Sequence, residues 1–268
     1  MSCAGNFAAT PRPVGSVAPP YQSPQALDTL RAPIGPPAPL MRGPAARLAE
    51  RRLVENSAEE AYQDVVAVLG ADGLKCTGIL VSPRAVLTAR HCIPATSVAT
   101  GVDAARGERQ AIDSTIAHPN PGVDAALLVL RDPLDVPVRP RGSLALAAVD
   151  FVRIVGFGAT NSHGDLGIGK KRMLDLISTD ASCDTGRAKR LGCDPKLEFA
   201  LPSNSGADTC SGDSGGPVLA VQRDQEVLIA IVSRGVPVPG RVCGHGGIYT
   251  RLDSLESWIT KEAAHYVD

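Results

Sequence analysis

The run Asp208-Thr209-Cys210-Ser211-Gly212-Asp213-Ser214-Gly215-Gly216-Pro217 constrains this chain more than any other stretch. Glycine readily takes positive φ and lets other backbone approach closely. A Gly-x-Ser-Gly-Gly turn can therefore aim the backbone N–H groups of Gly212 and Ser214 at one point beside the Ser214 hydroxyl. Two convergent donors next to a serine oxygen are what a tetrahedral oxyanion needs. A serine used in this way also needs a base, and the base needs a group to orient it.

Val86-Leu87-Thr88-Ala89-Arg90-His91-Cys92 supplies the base. His91 ends an apolar stretch that reads as a hairpin of buried strands, with Cys76 upstream of it. His118, His163, His245 and His265 lack such a setting and read as ordinary surface or core histidines. Asp124 supplies the orienter. It opens the strand-length apolar run Asp124-Ala125-Ala126-Leu127-Leu128-Val129-Leu130, where an acid is costly unless it is paired. Alone it would read as an exposed turn residue after Asn120-Pro121-Gly122; with His91 before it and the serine run after it, pairing is the better reading.

Only some folds place such a triad in the order His, Asp, Ser. From about residue 53 to the C-terminus the chain resembles the trypsin-like (chymotrypsin-fold) serine endopeptidases. The resemblance rests on Thr88-Ala89-Arg90-His91-Cys92, Asp124-Ala125-Ala126-Leu127-Leu128 and Gly212-Asp213-Ser214-Gly215-Gly216-Pro217. Gly156-Phe157-Gly158, Ser233-Arg234-Gly235 and Gly247-Ile248-Tyr249-Thr250-Arg251 add weaker matches. It implies an all-β fold: two six-stranded antiparallel β-barrels with a C-terminal helix and the site in the cleft between them. Ser214 would attack the scissile carbonyl, His91 would carry its proton, Asp124 would hold the imidazole, and the N–H groups of Gly212 and Ser214 would bind the oxyanion.

The resemblance also implies a specificity. The residue six before the nucleophile floors the primary pocket, and here it is Asp208, with walls from Ser233-Arg234-Gly235 and Gly246-Gly247. A carboxylate at the bottom of a narrow slot favours a cationic side chain, so cleavage after Arg or Lys is expected. Masking of Asp208 by Arg234 or Arg241 would change that preference. Arg234 stands where the family has a Trp beside the pocket, and its charge is expected to disfavour basic, or favour acidic, residues at that subsite. Family members are activated when a new amino terminus pairs with the acid before the nucleophile, here Asp213. Arg51-Arg52-Leu53-Val54 is placed for a cut after Arg52 that frees Leu53, although Ala45 to Tyr62 also reads as a plain linker helix. The implied disulfides are Cys76 with Cys92, Cys210 with Cys243 and, more loosely, Cys183 with Cys193. Cys3 is the seventh cysteine.

The remaining readings come from composition and pattern. Residues 1–52 hold 10 of the 22 prolines and six Arg against two acids, net +4, and read as a disordered head or propeptide. Residues 53–268 carry 21 basic and 26 acidic side chains, with no basic stripe for nucleic acid. At 3% aromatics the interior has to be built from Val, Ile, Leu and Ala. Short apolar runs separated by Gly, Pro and Asn place strands at 65–69, 78–81, 85–88, 111–117, 125–129, 152–157, 173–178, 217–221, 227–233 and 247–250, and a helix over 254–262. Pro133 to Pro140 is the expected crossover between barrels. Metal-type spacing such as Cys-x-x-Cys is absent, so no metal is expected, nor any cofactor. No apolar run is long enough for a membrane span. Disulfides point to a secreted or periplasmic protein, yet Met1 to Leu30 shows no standard signal peptide. The expected partners of this monomer are protein or peptide substrates and a protein inhibitor. A catalytically silent binding module of the same fold is the competing function class.

Overall fold

The computed structural model describes residues 62–143, 149, 151–178, 181–184, 186–203, 208–222 and 225–267. The expectations for the head, for Arg52 and for Leu53 lie outside them. The first six strands are β1 (Val65–Gly70), β2 (Gly73–Ser82), β3 (Ala85–Thr88), β4 (Ser97–Ala99), β5 (Arg109–Ala117) and β6 (Ala126–Leu130). They close into an antiparallel barrel in the order β1-β2-β3-β6-β5-β4. The other six are β7 (Phe151–Gly156), β8 (Arg172–Ile177), β9 (Glu198–Leu201), β10 (Pro217–Gln222), β11 (Gln225–Gly235) and β12 (Gly247–Arg251). These form a second antiparallel sheet in the order β8-β7-β10-β11-β12-β9. Among the described residues there are also two short α-helices, α1 (Gly186–Arg190) and α2 (Glu256–Ala263), and a 3-10 turn at Arg90–Cys92. This is the two-barrel, chymotrypsin-type architecture expected from the motifs.

Burial explains why β1 is an unbroken apolar run. Val65, Ala67 and Leu69 join a cluster with Phe157, Leu219 and Ile231 of the second sheet, while Val66 and Val68 pack with Leu80, Val86 and Leu128. Successive side chains point to opposite faces of a strand, and here both faces are buried. Helix α2 buries Trp258 and Ile259 against the shared cluster, and Leu255 just before it is also buried. A segment without strand, 131–143, links the two sheets.

Five charged groups strap that link to both sheets. Arg139 is bidentate to Asp64, through Nε at 3.0 Å and Nη2 at 3.1 Å, and its Nη1 reaches Glu226 at 2.7 Å. Glu226 also accepts from Arg153 Nη1 at 2.9 Å, and Arg153 is bidentate to Asp175. The Tyr62 hydroxyl donates to Glu226 at 2.7 Å; burial first, then this hydrogen bond, pushes it up to about 12. A buried Lys171 Nζ donates to the Tyr62 carbonyl at 2.7 Å. Glu226 is the middle carboxylate of the chain, so removing its charge leaves two guanidiniums facing each other. Glu226→Gln is expected to lower stability by about 2 kcal/mol. Urea unfolding checks this; an unchanged midpoint would show that the strap contributes nothing.

Candidate active site

The site is shared between the two sheets. His91 sits in a 3-10 turn, Arg90–Cys92, directly after β3, and the Cys76–Cys92 disulfide ties that turn to β2. Asp124 lies two residues before β6. Pairing of β3 with β6, Thr88 opposite Ala126, therefore brings the two together. His91 Nδ1 lies 3.0 Å from Asp124 Oδ2 and 3.2 Å from Oδ1, and the His91 backbone N–H donates to Oδ1 at 3.1 Å. Ser233 Oγ, from β11, donates to Asp124 Oδ2 at 2.6 Å. Burial acts to raise the Asp124 carboxyl, but the hydrogen bonds from His91 and Ser233 outweigh it and hold the group below the usual aspartate value.

Ser214 sits on a turn that only glycine permits on both sides. Gly212 has φ of 98° and Gly215 has φ of 79°, and a Cβ on Gly215 would stand 2.1 Å from Thr88 Oγ1. Thr77 of β2 holds the turn from the first barrel. Its N–H donates to the Ser214 carbonyl at 2.9 Å, and its hydroxyl donates to the Gly212 carbonyl at 2.8 Å. Among the described residues, neither the Gly212 nor the Ser214 N–H has an acceptor. The Ser214 hydroxyl itself donates to the Ser233 carbonyl at 3.5 Å, and no hydrogen bond joins it to His91. Catalytic hydrogen bonds are often long or misaligned without substrate and tighten when it binds.

Asp208 lies behind this turn. It accepts from the N–H groups of Thr209 at 2.7 Å, Gly246 at 2.8 Å and Gly244 at 3.2 Å. Gly235 and Gly247 face each other across the β11–β12 pair, and the Tyr249 hydroxyl and Thr209 Oγ1 pack against Gly247 where a Cβ would stand. Burial pushes the Asp208 carboxyl up to about 6, against the pull of these N–H donors. Asp213 is more deeply buried and also reaches about 6; burial is the main cause, the N–H groups of Cys210 and Gly158 oppose it, and the charge of Asp208 adds to it. Arg234 does not fold onto Asp208. Its guanidinium is bidentate to Glu198, at 2.6 and 2.9 Å, and also donates to Ser233 Oγ and to the Leu191 carbonyl. Arg241 is exposed, with its backbone paired to Val238.

The other two disulfides, Cys183–Cys193 and Cys210–Cys243, are formed as well. Cys76, His91 and Cys92 bring ligand-type atoms within 4.8 Å of one another, but the two sulfurs are bonded to each other and offer no thiolate. Thr77 and Glu198 are site residues that the motifs do not reveal. A signal for Glu198 existed: an acid between Leu197 and Phe199, in an apolar run, needs a partner.

The raised Asp208 value has a consequence for stability. A carboxyl that is harder to ionise in the folded state binds more protons there than when unfolded. Its stabilising contribution is complete below about pH 4, its ordinary value, and is lost as pH rises through about 6. Asp208→Asn is therefore expected to gain about 1–2 kcal/mol relative to the parent on going from pH 4 to pH 7. Urea unfolding at both pH values measures the difference, and equal effects at the two would contradict the assignment.

The comparisons agree with this geometry. The family model described as Trypsin matches residues 54–259. Serine protease SP24D of Anopheles gambiae is 30% identical over 231 residues, covering 78% of this chain and 80% of its own. Melanization protease 1 of Drosophila melanogaster is 29% identical over 232 residues, covering 70% of this chain and 58% of its own. The solved structure of neuropsin, a serine protease of mouse brain, shares the fold with a TM-score of 0.61 at 24% identity, over 75% of this chain and 95% of that one. With a trypsin model matched over most of its length, the chain belongs to the trypsin family.

Proposed function

We propose that the chain is a serine endopeptidase that cleaves after Arg or Lys. The observation that carries the reading is the Asp124–His91 pair set beside Ser214 on a turn with two N–H donors to spare. Ser214 Oγ turns from the Ser233 carbonyl towards His91, gives its proton to Nε2 and attacks the scissile carbonyl. The N–H groups of Gly212 and Ser214 take up the oxyanion, and Asp124 stabilises the imidazolium. His91 then protonates the leaving amine, and water hydrolyses the acyl-enzyme by the same steps in reverse.

Asp208, held by the N–H groups of Thr209, Gly244 and Gly246, supplies the negative charge for a basic side chain, with walls from Ser233–Gly235 and Gly246–Gly247. Activation by a cut after Arg52, with the Leu53 amine pairing with Asp213, fits the burial of that acid, which a nearby positive charge would help to ionise. The space beside Asp213, between Gly156, Gly158, Arg172 and Leu174, is only about 10 Å³, so insertion of the new terminus requires it to open. Three disulfides support work in an oxidising compartment. No helix among the described residues is long and apolar enough to cross a membrane. The silent-module reading draws on one observation, that Ser214 bonds to the Ser233 carbonyl and not to His91.

Fluorogenic Arg, Lys, Phe and Ala peptides, tested before and after trace trypsin with Ser214→Ala as control, decide between them. Arg/Lys cleavage that appears with a Leu53 terminus and is absent from Ser214→Ala is expected. Activity without a cut would remove the activation step, and no hydrolysis at a clean Leu53 terminus would favour the silent module. The pH dependence gives a separate check on the pocket. Asp208 loses its charge as pH falls through about 6, so kcat/KM for Arg peptides should drop below that pH more steeply than for Ala peptides. Parallel profiles would show that Asp208 does not read the substrate's charge.

A further inference from the structure

Strand β11 carries an irregularity at the site. Val232 pairs with Tyr249 and Arg234 with Ile248, so Ser233 is an extra residue in the ladder. In a regular strand neighbouring side chains point to opposite faces, and a bulge breaks that alternation and re-aims them. Here Arg234 Nη1 reaches back to the Ser233 hydroxyl at 3.0 Å. The guanidinium is fixed by Glu198, whose side chain is only 7% exposed, and by the Leu191 carbonyl. A hydroxyl has one proton to give. With Arg234 donating to its oxygen, Ser233 is left to give that proton to Asp124 Oδ2, at 2.6 Å.

We propose that Arg234 is a positioning residue for the Asp124–His91 pair, acting through the Ser233 hydroxyl, and not a charged wall of the substrate cleft. The proposal rests on the triad reading above. Glu198 matches the charge of Arg234, so the side chain presents no net charge to a substrate residue. The chain Glu198–Arg234–Ser233–Asp124–His91 instead runs its hydrogen bonds towards the imidazole. Among the described residues, the charged groups that the hydrogen bonds connect to this pair are Arg234 and Glu198, one hydroxyl further on, while the neighbouring Arg90 sends its Nη1 to the His118 carbonyl.

Arg234→Met combined with Glu198→Gln removes the anchor without leaving a buried charge unpaired. The Ser233 hydroxyl is then free to turn away from Asp124. The carboxylate loses a donor, and its charge becomes more available to the imidazolium. The expected result is a fall in kcat of about tenfold with KM little changed, and an acidic limb of the kcat/KM profile displaced to higher pH. Ser233→Ala should produce the same displacement, and adding the double change to it should have no further effect. Arg234→Lys, which keeps the charge but cannot bridge Glu198 and Ser233 together, should lie between parent and double variant; it carries the comparison if the double variant does not fold. The proton on His91 Nδ1, followed by NMR, should shift in all of these variants whether or not the protein hydrolyses peptides. An inactive parent with that shift would overturn the protease reading and leave the positioning role standing. An unmoved limb and Nδ1 proton, effects that add to those of Ser233→Ala, or a change confined to KM for peptides varied before the scissile residue would overturn the positioning role.

Discussion

Thr77 joins the two sheets at the point where the groups of the candidate site meet. His91 and Asp124 belong to the first barrel, while Ser214, Ser233 and Asp208 belong to the second. Their geometry is only as good as the registry between the two halves. Thr77 is fully buried and holds the serine turn at two carbonyls, Ser214 with its N–H and Gly212 with its hydroxyl, while its hydroxyl also accepts from the Phe157 N–H. Thr88 in turn donates to the Thr77 carbonyl. Thr77, Thr88 and Phe157 are buried and Gly212 and Ser214 half-buried, and a buried group that loses its partner costs about 1–3 kcal/mol. The shared apolar cluster and the charged strap on Arg139 keep the halves together, but these hydrogen bonds set where the serine stands.

The same cleft treats its three aspartates differently. Asp124 has two side-chain donors and stays readily ionised. Asp208 and Asp213 sit deeper, and burial pushes both up to about 6 against the pull of their backbone N–H donors; the charge of Asp208 adds to the rise at Asp213 and that of Arg172 opposes it. A carboxylate that orients an imidazole has to be charged before substrate arrives. In the proposed reading Asp208 and Asp213 each receive a cation, and binding would then relieve a cost already present.

The candidate site residues stood out in the sequence because the chemistry proposed for them demands particular residue types in particular local settings. Most strands were legible because both faces are buried, which leaves continuous apolar runs such as Val65–Leu69. The failures have physical causes. Strand β4, Ser97–Ala99, is too short to display a period. Strand β9 carries Glu198, which interrupts the apolar pattern because its charge is matched by an arginine 36 residues away. Helix α1 lies inside the Cys183–Cys193 loop and spans five residues, too few for an amphipathic stripe. The contacts of Arg234 with Glu198 and the Ser233 hydroxyl had no signal either, because nothing in a linear sequence announces the bulge that decides what that side chain touches.

That bulge also bears on how this region of the chain can change. Side chains along a strand alternate with a period of two, so deleting or adding one residue reverses the face of everything beyond it until another irregularity restores the phase. Strand β11 runs from Gln225 to Gly235 and carries two such irregularities, Ile229 against β10 and Ser233 against β12, the second beside the candidate site. Substitutions there alter one contact at a time. A single deletion at Ser233 would regularise the ladder, and Arg234 could then no longer share a side with its predecessor. Length, more than identity, is the inherited quantity in this strand, and lineages of the sequence would be expected to explore its residue types far more freely than its residue count.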